Sequence, residues 1–102
     1  MYKLLISEAA QQDLANILAY LVEQLAAPQA AKDLLGETLK CYERLQSNPF
    51  IYETCNDIYL RAEKYHRALI NNYVLIYKVN EKKHTVNIHR FFYGKQDFLK
   101  LI

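Results

Sequence analysis

The sequence predicts an α+β domain in which an antiparallel helical hairpin packs on a small, largely antiparallel β-sheet. Two observations carry this prediction. The first half contains two amphipathic helical patterns, whereas residues 65–93 contain runs of β-branched and aromatic residues. A short strand at residues 2–6 precedes both, which gives the order β-α-α-β-β-β. Runs of helices followed by runs of strands are typical of α+β domains.

The two helices are predicted from their caps and their apolar spacing. Ser7 is a favourable N-cap, and Glu8 suits the first turn of the helix that follows. Apolar residues then recur at spacings of three and four, at Ala10, Leu14, Ile17, Leu18, Leu21 and Leu25. Pro28 suits the first turn of a second helix, which Pro49 is expected to end. The apolar positions of that helix are Ala31, Leu34, Leu35, Leu39, Tyr42 and Leu45. Gly36 within it is expected to allow a close approach between helices.

A β-hairpin is predicted within residues 72–97. Residues 73–79 and 85–93 form its strands, and the polar break between them lacks Gly, which favours a loop longer than two residues. Gly94 is expected to take a positive φ and end the second strand. Residues 65–70 predict another strand, and Asn71-Asn72 predicts the turn into the hairpin. Residues 50–59 are expected to be irregular, and residues 61–64 fit either a loop or a helical turn.

Composition places the chain among small globular domains. The 102 residues predict one domain covering 1–102, and a hydrophobic fraction of 52% is sufficient for a core. No apolar run approaches the ~20 residues of a membrane span, and the N-terminus lacks a signal-peptide pattern. Cys41 and Cys55 have neither metal-ligand spacing nor a disulfide framework, so we expect no metal, no cofactor and a reducing, cytoplasmic location.

Charge is distributed unevenly along the chain. Residues 1–60 carry four basic and eight acidic side chains, for a net charge of −4. Residues 61–102 carry nine basic and three acidic side chains, for a net charge of +6. The basic half is also the strand-rich half, which indicates either an anionic partner, such as nucleic acid or an acidic protein segment, or a solvated basic surface.

A series of short motifs runs along nearly the whole chain. They are Ala10-x-x-Asp13-Leu14-x-x-Ile17-x-x-Tyr20, Pro28-x-Ala30-Ala31, Leu45-x-x-x-Pro49, Tyr65-x-Arg67, Asn72-Tyr73-x-x-x-Tyr77-x-Val79 and Val86-x-Ile88-x-Arg90-x-x-Tyr93-Gly94-x-x-Asp97. In this order and spacing the chain resembles the RelE/ParE superfamily of toxins from type II toxin–antitoxin modules. The resemblance implies a cytoplasmic toxin that a cognate antitoxin holds inactive, either as a dimer or as a hetero-oligomer, with operator DNA contacted only through the antitoxin.

The resemblance leaves two targets open. RelE-like members resemble ribosome-dependent mRNA endonucleases, whereas ParE-like members block DNA gyrase. The RelE-like pattern tends to place Arg directly after the Tyr of the central strand, where this chain has Val74. It also tends to place a basic residue two positions after the glycine of the closing strand, where this chain has Gln96. Both departures favour the ParE-like activity, which is inhibition by binding.

Four residues are candidates for catalysis or, alternatively, for a target-binding surface: Arg67, Arg90, Tyr93 and Lys95. Cleavage of RNA needs an activated 2′-oxygen and a stabilised phosphorane, so the three cations would stabilise charge. Tyr93, His66 or His89 would serve as acid or base, or Tyr93 would stack on a base. A third hypothesis is a non-toxic module that only binds an antitoxin. The apolar residues 98–102 are expected to dock on the sheet or on a partner.

Overall fold

The computed structural model describes residues 1–94, and within them it has the predicted α+β architecture. The strands are β1 (Lys3–Ile6), β2 (His66–Ile70), β3 (Tyr73–Asn80) and β4 (Thr85–Tyr93), and the helices are α1 (Glu8–Ala19), α2 (Pro28–Ser47) and α3 (Ile58–Ala62). Helix α1 continues into a π-helical segment, Tyr20–Gln24. Ser7 caps α1 as predicted, because its hydroxyl accepts a hydrogen bond from the Ala10 N–H at 3.0 Å.

The four strands form one sheet in the order β1-β4-β3-β2. Strands β2, β3 and β4 are antiparallel neighbours, whereas β1 pairs parallel to β4, with Leu4 opposite Val86 and Ile6 opposite Ile88. The register between β3 and β4 shifts after Ile76, so the ladder is irregular beside His89. Strand β1, the first of the four described strands, thus pairs with β4, the fourth.

The main core lies between the sheet and the helices α1 and α2. Leu34 and Leu45 of α2 are buried there against Tyr77 and Phe91 of the sheet. The Tyr77 hydroxyl donates a hydrogen bond to the Pro49 carbonyl at 2.8 Å, which ties β3 to the turn after α2. Side chains alternate between the two faces of a sheet along each strand. The face that packs against α1 and α2 is called the helix face below.

A second, smaller core lies on the opposite face of the sheet, called the distal face below. Its buried members are Cys55, Leu60, Val74, Ile76 and Phe92. The segment that contains α3 crosses this face, and it also extends the sheet: the Cys55 N–H donates to the Tyr65 carbonyl at 2.8 Å. The sequence of residues 61–64 fits either a loop or a helical turn, and residues 50–59 are expected to be irregular. The structure has helix α3 at residues 58–62, which overlaps both stretches.

Three expectations about local features are wrong. Within residues 1–94 no glycine has a positive φ, so Gly94 does not end β4 in that way. A Cβ built on Gly36 meets nothing within 4 Å, so this glycine provides no close helix contact. Leu35 and Leu39 of the predicted apolar stripe are 40% and 53% exposed, whereas its members Ala31, Leu34 and Leu45 are buried as predicted, together with Thr38 and Cys41.

Candidate functional site

The sheet aligns two of the predicted site residues on its distal face. Arg67 of β2 lies opposite Ile76 of β3, which in turn lies opposite Arg90 of β4. Paired residues on adjacent strands share a face, and strands lie about 4.8 Å apart, so the two arginine Cα atoms are about 10 Å apart. Sequence alone left open whether these arginines share a face, because it does not give the register.

Arg90 is held by a carboxylate from helix α1. Its Nε lies 2.7 Å from Asp13 Oδ2, its Nη2 lies 2.9 Å from Asp13 Oδ1, and the pair is mostly buried. The guanidinium also lies 4.7 Å from the centroid of the Phe92 ring. The hydrogen bond and the charge of Asp13 raise the pKa of Arg90 further above its already high value. Arg90 is thus a fixed cation that already carries a counter-ion.

Asp13 belongs to the first of the sequence motifs but is not among the predicted site residues. Strand β1 ends beside Ile88, so within residues 1–94 the remaining edge of β4 has no neighbouring strand. Helix α1 takes over this edge: the Ser7 hydroxyl donates to the His89 carbonyl at 2.7 Å, and Asp13 accepts from the Phe91 N–H at 3.0 Å. Asp13 therefore positions Arg90 and protects the edge of the sheet at once.

Arg67 is held differently. Its backbone N–H donates to the Glu53 carbonyl at 3.0 Å, and its side chain is half-buried on the distal face. Across residues 1–94 its guanidinium forms no ion pair with a carboxylate, in contrast to Arg90. A nearby thiol, Cys55, is buried, and this burial raises its pKa although the charge of Arg67 opposes the rise.

Tyr93 lies on the other side of the sheet. Its ring is 5.7 Å from that of Tyr73, its partner on β3, and both rings face the end of α1 and the π-helical segment. They line a groove of about 600 Å³ together with Asn16, Tyr20 and Asn72, called the tyrosine groove below. Among the described residues that line this groove none is charged. Lys95, the fourth predicted residue, lies outside the described residues, as do Gln96 and the apolar segment 98–102.

The two histidines considered as acid or base also lie on opposite faces. The His66 ring stacks on Tyr77 at 5.1 Å on the helix face, and its Nδ1 lies 3.0 Å from the Tyr52 carbonyl oxygen. The His89 ring lies on the distal face, 5.1 Å from the Tyr65 ring. Burial, and then the charges of Arg90 and Lys78, lower the pKa of His89, which favours the neutral imidazole.

Together, Arg67, Arg90 and His89 give the distal face two cations and one neutral base, which suits the binding of an anionic group. Tyr93 does not contribute to this set, because the sheet separates it from the arginines. Within residues 1–94 no group of three His, Cys, Asp or Glu side chains is arranged to hold a metal ion. No helix in that part of the chain is both long and apolar enough to cross a membrane.

Comparison with known families decides what kind of protein carries this site. The model of the family described as "ParE toxin of type II toxin-antitoxin system, parDE" matches residues 4–98. The chain belongs to the ParE toxin family. This ParE-family toxin is similar in fold to the solved structure entitled "Chromosomal ParDE TA system from P. aeruginosa", with a TM-score of 0.72. The match covers 93% of this chain and 98% of that chain at 16% identity. The comparison with curated proteins finds no match.

Proposed function

We propose that this ParE-family toxin arrests growth by binding a cellular target of the DNA gyrase class, and that a cognate antitoxin neutralises it in the cytoplasm. One observation carries the choice of binding over cleavage. The candidate residues do not surround a common point, because Arg67 and Arg90 lie on the distal face whereas Tyr93 lies on the helix face. A general acid and base must both reach the reacting phosphate.

The position that is arginine in RelE-like sequences supports the same choice. Val74 is buried in the distal core beside Ile76 and Phe92, with 3% of its surface exposed. Arginine there would place a charge among apolar side chains without a partner, which is unfavourable. A packing role at this position fits a protein that presents a rigid surface rather than a cleavage site.

The surface around β2 supports a protein partner. Ile58 and Tyr59 of α3 and Leu69 of β2 are 74%, 80% and 62% exposed, and Leu69 lies two positions after Arg67 on the same strand. Exposed apolar side chains next to unpaired positive charge are typical of a surface that another protein covers. The antitoxin is proposed to supply an acidic segment for this basic half of the chain.

The test is expression with and without the antitoxin. Expression alone is expected to arrest growth, and co-expression of the antitoxin is expected to restore it. Purified toxin is then expected to inhibit DNA supercoiling by gyrase. Arg67→Ala should lose toxicity while remaining folded, whereas Arg61→Ala, which removes an exposed charge from the neighbouring helix α3, should remain toxic. Full toxicity of Arg67→Ala would show that the distal face does not bind the target.

The alternative function is ribosome-dependent mRNA cleavage, which would make the chain an endoribonuclease. The alignment of Arg67 with Arg90, with the neutral base His89 beside them, is the observation that favours it. Mapping RNA 5′ ends after brief induction separates the two functions. New ends inside translated codons would support cleavage, whereas growth arrest with unchanged RNA would support a protein target. Normal growth together with tight antitoxin binding would identify a non-toxic binding module.

A further inference from the structure

A pocket of about 310 Å³ opens on the distal face, one row of side chains away from the two arginines. Strand register places Leu5 of β1, Asn87 of β4 and Lys78 of β3 in this row. Tyr65, just before β2, and His89 also line the pocket. Three strands and the loop before β2 therefore contribute to the pocket, although their residues are far apart in sequence.

Hydrogen-bond donors from two neighbouring strands, β3 and β4, line the pocket. The Lys78 Nζ lies 5.1 Å from the centroid of the Tyr65 ring, which holds the ammonium group at the wall. Within residues 1–94, the imidazole of His89 and the amide of Asn87 make no hydrogen bond with other side chains or with the backbone. The amide and the imidazole thus remain available to a ligand that accepts several hydrogen bonds, beside the ammonium of Lys78.

Two positive charges act on His89 in the pocket wall. Lys78 on β3 and Arg90 on β4 both act on His89, and Asp13 on α1 offsets Arg90. The carboxylate near Lys78 is that of Glu63, whose Oε2 lies 3.5 Å from Nζ. The Glu63 side chain is 70% exposed, so solvent screens this pair and its contribution to stability is small. Glu63 thus places a carboxylate beside the Lys78 ammonium without itself lining the pocket.

We propose that the pocket binds a phosphate group, which displaces the Glu63 carboxylate from Lys78. A tetrahedral oxyanion can accept hydrogen bonds from Lys78, from the Asn87 amide and from an imidazole N–H of His89 at the same time, and the charge-assisted bond from Lys78 is strong. The volume lies at the lower end of the range for small-molecule sites, so a phosphomonoester or one phosphate of a nucleic-acid strand is the appropriate size. The proposal is independent of the toxin's target.

The experiment follows the His89 ring signals of the full-length protein by NMR during titration with inorganic phosphate, with sodium chloride at matched ionic strength as reference. Saturable shifts of the His89 signals are expected with phosphate but not with chloride. Lys78→Met keeps the apolar stem against Tyr65 and should weaken binding by about tenfold or more. Glu63→Gln removes the competing carboxylate and should strengthen binding several-fold. Lys32→Met makes the same charge change on an exposed site of α2 and should bind as the wild type does.

A second series uses sulfate, whose charge does not change between pH 5.5 and 7.5. Sulfate should bind more tightly as the pH falls, because the bound anion favours protonated His89. Titrations with AMP and with a short oligoribonucleotide then distinguish a free phosphomonoester from a nucleic-acid strand as the source of the group.

Equal shifts with chloride, or unchanged binding in Lys78→Met, would overturn the proposal. If Lys78→Met fails to fold, Glu63→Gln decides the question, since an affinity equal to that of the wild type would also overturn it.

Discussion

Arg90 and Asp13, 77 residues apart in the sequence, form an ion pair with two parallel hydrogen bonds of 2.7 and 2.9 Å. The pair joins helix α1 to the last strand at the place where β1 no longer covers the edge of the sheet. Asp13 also accepts the Phe91 N–H, so the loss of this one carboxylate affects three donors. Such shared acceptors make the position more sensitive than an exposed ion pair.

Asp13→Asn is expected to destabilise the fold by about 2 kcal/mol, because a mostly buried arginine loses its counter-ion. Urea unfolding followed by circular dichroism measures the change. Asp33→Asn makes the same substitution on the exposed side of α2, where the Asp33 carboxylate accepts a hydrogen bond from the Gln29 side chain, and should cost less than about 0.5 kcal/mol. Equal losses of unfolding free energy in the two variants would show that the Asp13–Arg90 pair stabilises the fold no more than an exposed carboxylate does.

The two glycines of the chain should respond to alanine in opposite ways. A Cβ on Gly94 would lie 2.9 Å from the Asn72 carbonyl oxygen, the same atom that accepts the Gly94 N–H at 2.7 Å. Gly94→Ala is therefore expected to destabilise the protein, by roughly 1–2 kcal/mol. Gly36→Ala meets open space within a helix and should stabilise it by up to about 1 kcal/mol. Thermal unfolding of both variants tests the pair, and a stable Gly94→Ala would contradict the assigned close contact.

The buried hydroxyl of Tyr77 should be important for stability. Tyr77→Phe removes the hydrogen bond to Pro49 and leaves a buried carbonyl without its donor, at an expected cost of about 1–3 kcal/mol. Tyr59→Phe serves as control because Tyr59 is 80% exposed, and it should be neutral. The unfolding free energies of the variants are compared from their denaturant midpoints, with one common slope of free energy against denaturant concentration. A neutral Tyr77→Phe would mean that another donor replaces the hydroxyl.

His89 should make stability depend on pH. Burial and then the charges of Arg90 and Lys78 lower its pKa, so the unfolded chain binds a proton that the folded chain does not. The His89 contribution to stability therefore falls as the pH decreases from about 6.5 toward the lowered folded pKa, and it levels off below that pKa. Urea midpoints between pH 7.5 and 5, in buffer free of phosphate and sulfate, should show a shallower pH dependence for His89→Gln. An unchanged pH dependence in this variant would contradict the lowered pKa.

Sequence patterns predicted the strands well because local preferences and long-range packing agree there. Strand β4 has the predicted bounds, and the turn at Asn71 lies where expected. Helix α2 shows the limit of periodicity: Leu35 and Leu39 fit the apolar pattern, but Thr38 is buried because its hydroxyl bonds the Leu34 carbonyl at 2.7 Å. A polar residue that satisfies itself on the helix can occupy the core.

The candidate site was less predictable for a geometric reason. Whether Arg67, Arg90 and Tyr93 meet depends on strand register and on which face each residue points to, and a shift of one residue reverses every face. Asp13 was missed as a site residue because its role arises only where α1 passes the end of β1. No local signal in the sequence marks such an encounter between distant segments.

The parallel pairing of β1 with β4 means that the sheet cannot be completed during the early part of translation. β1 is synthesised first, yet its partner residues, 85–88, follow about eighty positions later. Until β4 emerges, the nascent chain lacks an inner strand of its sheet, so β1 has no strand to pair with and Asp13 has no Arg90 to bind. Closing so long a loop is entropically costly and slows folding. The distal face that holds Arg67 and Arg90 is therefore complete only after β4 has been synthesised.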